Sequence, residues 1–170
     1  MLKSLSIRNI LLIEQAEISF SDGLNVFTGE TGAGKSIVLD CLSFVLCHKT
    51  RDRFLRSSCD NGEVVAEFIL TKSKEVLELL NQLSIPFKSS VIIRRVEFKD
   101  GRRKAYVNDI NCTIETIQKL GTKMMEFVDQ KDGSLVLKKK NHIRLLDDFS
   151  GNKTNLSSLN IAWENLKNKE

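Results

Sequence analysis

Hydrophobic and polar residues alternate in several short stretches of this chain, a period typical of strands with one buried face. Alternation at Leu2, Leu5 and Ile7, and again at 13–20, predicts two neighbouring antiparallel strands. The same pattern predicts a strand at 63–70 and a hairpin of 91–98 with 104–108. The first part of the chain is therefore expected to contain an antiparallel sheet.

Other apolar residues follow helical spacing instead. They predict helices at 37–47, 75–83 and 113–120, the last ended by Gly121. A short apolar strand is expected at 124–128. After residue 150 glycine is rare, and an a/d spacing predicts the start of a coiled coil or a single amphipathic helix; its positions are Leu145, Phe149, Leu156, Leu159, Trp163 and Leu166. The predicted domains are 1–150 and 151–170.

A phosphate-binding motif lies between a predicted strand at 24–28 and the helix at 37–47. Its residues match G-x-x-x-x-G-K-[ST] and are Gly29, Glu30, Thr31, Gly32, Ala33, Gly34, Lys35 and Ser36. The glycines allow successive backbone N–H groups to point at phosphate oxygens, and the following helix N-terminus adds partial positive charge. Lys35 is expected to reach the β and γ phosphates and Ser36 to ligate Mg²⁺. The motif predicts binding of ATP and Mg²⁺.

Composition adds little to this interpretation. The chain has 170 residues and a formal net charge of +4, and it has the apolar and charged content of one soluble domain. Charged residues interrupt the N-terminal stretch, so no signal peptide is expected and a cytoplasmic location is predicted. The four cysteines lack metal-ligand spacing. Two basic clusters, 99–104 and 138–140, are either DNA contacts or solvated turns.

Several segments together resemble the bacterial RecN family, SMC-like relatives of the ABC ATPases. They are LSIRNILLIE, VFTGETGAGKSIVLD, KAYVN at 104–108 and LLD at 145–147, and the resemblance runs from Met1 to about Gly151. Three segments depart from the family pattern. Asp129-Gln130-Lys131-Asp132 stands for Gly-Gln-His-Glu, Cys47-His48-Lys49-Thr50 for Gly-x-Arg-Ala, and Ser58 for a glycine.

The resemblance implies an α/β fold, the N-terminal lobe of an ABC/SMC-type P-loop ATPase head that leads into a coiled coil. It implies that 29–36 bind ATP and that Gln130 is the Q-loop glutamine near Mg²⁺. It also matches Asn9 to the Asn of the family's N-terminal strand motif and Arg56 to a basic position near nucleotide or DNA, which makes both candidate nucleotide-binding residues. The implied partners are a C-terminal half of the head, a second head in an ATP-bound homodimer, and DNA. The implied role is recombinational repair of double-strand breaks at the bacterial nucleoid.

Hydrolysis needs further groups that this sequence lacks. Leu145-Leu146-Asp147-Asp148 is too short and too interrupted for a Walker B strand, and no L-S-G-G signature is present. Asp148 to Gly151 and Asn152 to Asn155 mimic GTPase motifs, but they adjoin each other and lack the final Asp. A kinase-type P-loop enzyme would instead have a parallel sheet. The chain alone is therefore predicted to be non-catalytic. It is either half of a RecN-type ATPase or a remnant or interaction module without turnover.

Overall fold

The computed structural model divides the chain into two units, 1–126 and 127–170. Within these units, the structure describes residues 1–28, 35–48, 53–70, 74–125, 127, 143, 146–147, 149–150 and 153–168.

The described residues of the first unit form six strands and three helices. In chain order they are β1 (Leu2–Ile10), β2 (Ile13–Ser19), α1 (Lys35–Val45), β3 (Asn61–Ile69), α2 (Lys74–Gln82), β4 (Ser90–Phe98), β5 (Arg103–Val107), β6 (Ile110–Asn111) and α3 (Ile114–Met124). The strands form one sheet in the order β2-β1-β3-β4-β5-β6, and every pair in it is antiparallel. The predicted antiparallel sheet is confirmed, and the parallel sheet of a kinase-type enzyme is not what these residues form.

The buried face of the sheet is built from alternate residues of its central strands. In one row Ile7 pairs with Val64, Val64 with Arg95, and Arg95 with Ala105. Ile7, Val64 and Ala105 in this row are the small or branched apolar groups that alternation predicts. Helix α1 packs against β1, β3 and β4, and α3 contacts β5 and α2. Arg95 is thus a charged residue at the centre of an apolar layer.

The strand predicted beside the phosphate loop differs from the structure. Residues 24–28 form no strand, and Leu24 and Val26 are 88% and 70% exposed. A strand needs a neighbour to satisfy its backbone groups, and none of the described residues pairs with this segment. Phe27 packs edge-on against Phe20, with ring centroids 5.9 Å apart. The segment is therefore apolar but uncovered by the part of the chain that is described.

Helix α3 runs past its predicted end. Thr113 is its N-cap, and the helix continues to Met124 with Met125 as the C-cap, so the predicted strand at 124–128 does not begin where expected. Gly121 is a buried residue inside the helix. A Cβ at Gly121 would lie 3.3 Å from Cβ of Leu46. This glycine permits close packing of two segments, and the prediction that it ends the helix is wrong.

The second unit contains helix α4 (Lys153–Lys167). Four of its apolar residues are exposed along the described helix: Leu159, Ile161, Trp163 and Leu166. Three of them occupy predicted a/d positions. The helix is confirmed, and a coiled-coil partner for it remains a prediction. No helix in the described ranges is both long and apolar enough to cross a membrane.

Candidate nucleotide-binding site

The helix that follows the phosphate motif begins where the motif requires. Helix α1 starts at Lys35, and Ser36 is exposed in its first turn. That turn carries no acidic residue, so its free N–H groups and partial positive charge are not offset locally. Residues 29–34 of the motif lie outside the described residues. The structure does describe the helix that comes after them. A helix N-terminus of this kind suits a phosphate group.

A Schellman motif closes the opposite end of α1. The N–H of His48 donates to the carbonyl of Ser43 at 2.9 Å, and the N–H of Cys47 donates to that of Phe44 at 3.1 Å. Cys47 has a φ of +55°, the left-handed conformation that favours glycine. Cys47, which stands where the family pattern has glycine, therefore occupies a position whose backbone conformation favours glycine. Ser58, the other departure from glycine, is not among the residues with positive φ.

Two side chains from elsewhere hold this same helix end. Nη1 of Arg95 donates to the carbonyl of Phe44 at 2.6 Å, and Nε2 of Gln118 donates to the carbonyl of Cys47 at 2.8 Å. Arg95 lies outside every motif identified in the sequence. Its position in the strand could have revealed it. Arg95 is two residues after Ile93 and four after Val91, so its side chain points to the same buried face of β4.

Beside it, Glu97 is another buried charge, 1% exposed. Its Oε2 accepts from the N–H of Phe54 at 3.1 Å and lies 3.4 Å from Nε of Arg103. Arg103 is therefore paired with a buried carboxylate and does not belong to a freely solvated basic tip. This corrects the interpretation of 99–104 as one basic cluster.

Two other cations of that hairpin are exposed but locally paired. Lys99 contacts Asp60 at 3.1 Å, and Arg102 contacts Asp100 at 2.6 Å. Asp100 accepts hydrogen bonds from the backbone N–H and from the side chain of Arg102. The backbone bond has the larger effect, and together the two hold the pKa of the Asp100 carboxyl below its usual value. The second basic cluster, 138–140, lies outside the described residues.

The structure brings together two residues that the family resemblance singles out. The N–H of Arg56 donates to the carbonyl of Asn9 at 3.1 Å. Asn9 has a φ of +54°, and its Nδ2 donates to the carbonyl of Asn61 at 3.2 Å. The guanidinium of Arg56 lies 3.2 Å from Oε2 of Glu14. Asn9 and Arg56 thus form one local structure at the end of β1.

The remaining candidate residues lie either outside the described residues or in helices. Gln130 lies outside the described residues. Leu146 and Asp147 are helical, with Leu146 67% exposed, which supports rejection of 145–148 as a Walker B strand. The residues that mimic a guanine-recognition motif include Lys153, which begins α4. Within the described ranges, no group of three or more His, Cys, Asp or Glu residues is placed to hold a metal ion.

Comparison with known sequences agrees with this geometry. A family model described as an AAA domain matches residues 4–169. The DNA repair protein RecN of Bacillus subtilis is 34% identical over 152 residues, which cover 89% of this chain and 26% of that protein. RecN of Rickettsia bellii is 33% identical over 173 residues, covering 99% of this chain and 31% of that protein. The chain thus spans less than a third of these curated relatives.

Solved structures share the fold. The Smc head domain of Pyrococcus furiosus with an extended coiled coil superposes with a TM-score of 0.64 at 24% identity, covering 98% of this chain and 46% of that one. A chain from work on ATP-driven dimerization and DNA stimulated activation of SMC ATPases gives a TM-score of 0.61 at 21% identity, covering 87% of this chain and 98% of that one. The family model over residues 4–169 shows that the chain belongs to the AAA domain family, and the RecN matches across nearly its whole length are consistent with the N-terminal half of a RecN head.

Proposed function

We propose that this chain is the ATP-binding half of a RecN-type head that acts in recombinational repair of DNA double-strand breaks in the bacterial cytoplasm. The observation that carries the proposal is the start of α1 at Lys35, the seventh residue of a complete phosphate motif, with Ser36 exposed in a first turn that has no acidic residue. A triphosphate fits such a positive helix end, and a serine hydroxyl is a ligand that Mg²⁺ accepts.

In this proposal the chain's own residues bind rather than hydrolyse. The amide groups at the start of α1 neutralise phosphate charge, Lys35 adds a cation, and Ser36 offers its hydroxyl to the metal. Mg²⁺ held by Ser36 would supply positive charge against the phosphates. Asn9 and Arg56, already joined by a hydrogen bond, are proposed to border the nucleotide, and Gln130 to approach the metal.

A direct test measures ATP binding by the 170-residue chain in the presence of Mg²⁺, beside Lys35→Ala. Binding in the micromolar to millimolar range is expected, with a decrease of at least tenfold in affinity in the variant. Lys119→Ala, which removes an exposed cation of α3, is the matched control and should bind as the parent does. If the chain binds no ATP at millimolar concentration, the proposal is wrong.

Hydrolysis is proposed to require the C-terminal half of the head and a second head. The uncovered apolar segment 24–28 supports this requirement, because Leu24 and Val26 expose large apolar side chains that a partner would bury. ATP turnover is therefore measured for the chain alone and with a C-terminal head fragment. Turnover by the chain alone, abolished by Lys35→Ala, would contradict the claim that the hydrolytic groups lie elsewhere.

The surface of this assembly can be tested separately. Val26→Asp should prevent association with the C-terminal fragment, since it places a charge in the apolar segment. Leu12→Asp is the control, because Leu12 is also exposed, in the turn between β1 and β2. Equal association of both variants would show that 24–28 is not the contact. ATP binding without turnover in the mixture would favour an interaction module over an ATPase.

DNA binding through the β4–β5 hairpin is proposed for Arg102 and Lys104, the exposed cations on its β5 side. Arg103 is excluded because it pairs with buried Glu97. Replacing Arg102 and Lys104 with Ala should weaken DNA binding and lower the slope of log affinity against log salt by about 0.9 for each phosphate that the variant no longer neutralises. An unchanged slope would remove this hairpin from the DNA interface.

A further inference from the structure

The far end of the phosphate-loop helix is fastened to the sheet by a buried arginine. Arg95 is 1% exposed, and its Nη1 donates to the carbonyl of Phe44 at 2.6 Å. Its guanidinium also lies over the Phe44 ring, 4.6 Å from the centroid. Both the backbone and the side chain of one residue in the last turn of α1 are therefore held from β4.

Electrostatics favour a cation at this place. The carbonyl end of a helix carries partial negative charge, and Arg95 provides a full positive charge against it. Burial lowers the pKa of Arg95, but a guanidinium remains protonated in proteins. Among the described residues, its Nε has no hydrogen-bond acceptor. A buried charge with an unsatisfied donor costs more free energy than an apolar side chain in the same space. This cost indicates that Arg95 has a role that an apolar residue could not perform.

A second set of contacts surrounds the Phe44 ring over which Arg95 lies. Glu97 faces the same side of β4 and binds the N–H of Phe54 and the guanidinium of Arg103. The Arg103 guanidinium lies 5.9 Å from the centroids of both Phe44 and Phe54, and those two rings pack at 4.6 Å. The helix end, the strand and the hairpin are thus linked through contacting groups.

We propose that Arg95 is a positioning residue for the nucleotide: it fixes α1 along its axis and so fixes the aim of the N–H groups at the other end. Helix α1 has 11 residues and so a length of about 16 Å. A hydrogen-bonded helix of this length is stiff, so a shift of Phe44 near one end is carried to Ser36 near the other end. The proposal rests on ATP binding at the start of α1, which is the proposed function.

The test combines ATP affinity with hydrogen exchange in the full chain. Arg95→Met removes the charge and the hydrogen bond but keeps an apolar side chain, and Arg95→Lys keeps the charge. We expect Arg95→Met to bind ATP at least tenfold more weakly and to exchange the amides of Cys47 and His48 at least tenfold faster. Arg95→Lys should partly reverse both effects. Gln118→Ala, a milder change at the same helix end, should shift both in the same direction.

Two controls separate positioning from general destabilisation. Arg94→Met changes the neighbouring arginine, which faces the opposite side of β4 over the Tyr106 ring. Leu80→Ala destabilises the core from α2. Both should leave ATP affinity within twofold under conditions where the variants are folded.

The possible failures are distinguishable. If folded Arg95→Met and Gln118→Ala bind ATP as the parent does, Arg95 is not a positioning residue. If the affinity of Leu80→Ala falls as much as that of Arg95→Met, the effect is one of stability and the inference is again overturned. If the parent binds no ATP, the proposed function fails. Unchanged exchange at Cys47 and His48 in Arg95→Met would separately overturn the anchoring of the helix.

Discussion

Gly62 in β3 lies against the backbone of Asn9, so replacing it with alanine tests the packing at the end of β1. A Cβ at Gly62 would lie 2.4 Å from the carbonyl oxygen of Asn9 and 3.1 Å from its carbonyl carbon. Both atoms are backbone, so they cannot rotate away as the tip of a side chain can. The same carbonyl oxygen accepts the N–H of Arg56 at 3.1 Å. Gly62→Ala must therefore move a backbone group that is already in use.

The size of the effect follows from three contributions. Overpacking costs about 1–3 kcal/mol, and weakening the hydrogen bond from Arg56 costs about 0.5–1.5 kcal/mol. The reduced entropy of the unfolded chain returns about 0.4–1 kcal/mol. We expect Gly62→Ala to lower the free energy of unfolding by about 2 kcal/mol.

Urea unfolding of the 170-residue chain measures this change. The midpoint should fall in Gly62→Ala at an unchanged m-value. Gly121→Ala is the matched control, because its new Cβ would lie 3.3 Å from Cβ of Leu46, a much milder contact than the 2.4 Å at Gly62. In a helix, alanine is favoured over glycine by about 1 kcal/mol, so Gly121→Ala should be nearly neutral. A Gly62→Ala midpoint equal to or above that of the parent would refute the packing described at Asn9.

Three further predictions concern other parts of the first unit. Thr113→Ala removes the N-cap of α3, whose side chain accepts a backbone N–H at 3.3 Å, and should lower the free energy of unfolding by about 1 kcal/mol; Thr113→Ser should restore it, and equal stability of all three proteins would contradict the cap. The Asp100 carboxyl should titrate below its ordinary value of 3.8 in a chemical-shift titration. Its stabilising contribution is present above that ordinary value and is lost as pH falls through the lowered pKa, so a midpoint above 3.8 in the parent, or no upward shift in Arg102→Ala, would argue against the hydrogen bonds. Burial, with a smaller effect of the neighbouring carboxylate, raises the pKa of the Cys41 thiol to about 12, so at pH 8 iodoacetamide should modify half-buried Cys59 well before Cys41, as followed by peptide mass spectrometry; comparable rates would contradict the burial of Cys41.

Local patterns predicted the elements well because each element presents a buried face with its own period. Alternation at Leu5 and Ile7 becomes a strand whose side chains enter the core, and the apolar stretch after Ser36 becomes α1. The signal is strong where burial and period agree.

What the sequence could not provide was pairing between distant segments. Strand β3 lies between β1 and β4, an arrangement that no local pattern encodes. The buried Arg95 and Glu97 interrupt an apolar pattern, and their partners are a helix carbonyl and a backbone N–H far along the chain. Gly121 was misassigned because a glycine that ends a helix and one that allows close packing look alike in sequence.

The prediction of a strand before the phosphate loop was wrong for a different physical reason. Residues 24–28 have the apolar composition of a strand, but composition does not supply a neighbouring backbone. Leu24 and Val26 remain exposed in the described chain. The strand predicted from these apolar residues therefore needed a neighbouring backbone that the local sequence does not supply.

The order of the strands also constrains how this lobe is made on the ribosome. Strand β1 emerges early, yet one of its two neighbours is β3, which begins only at Asn61. Until then β1 can pair only with β2, and an isolated hairpin is marginally stable in water. Helix α1 is synthesised before β3 and β4, two of the three strands on which it packs. A nascent chain thus carries its phosphate motif for some time before it has a platform to support it, and nucleotide is expected to bind only after β4 has joined the sheet.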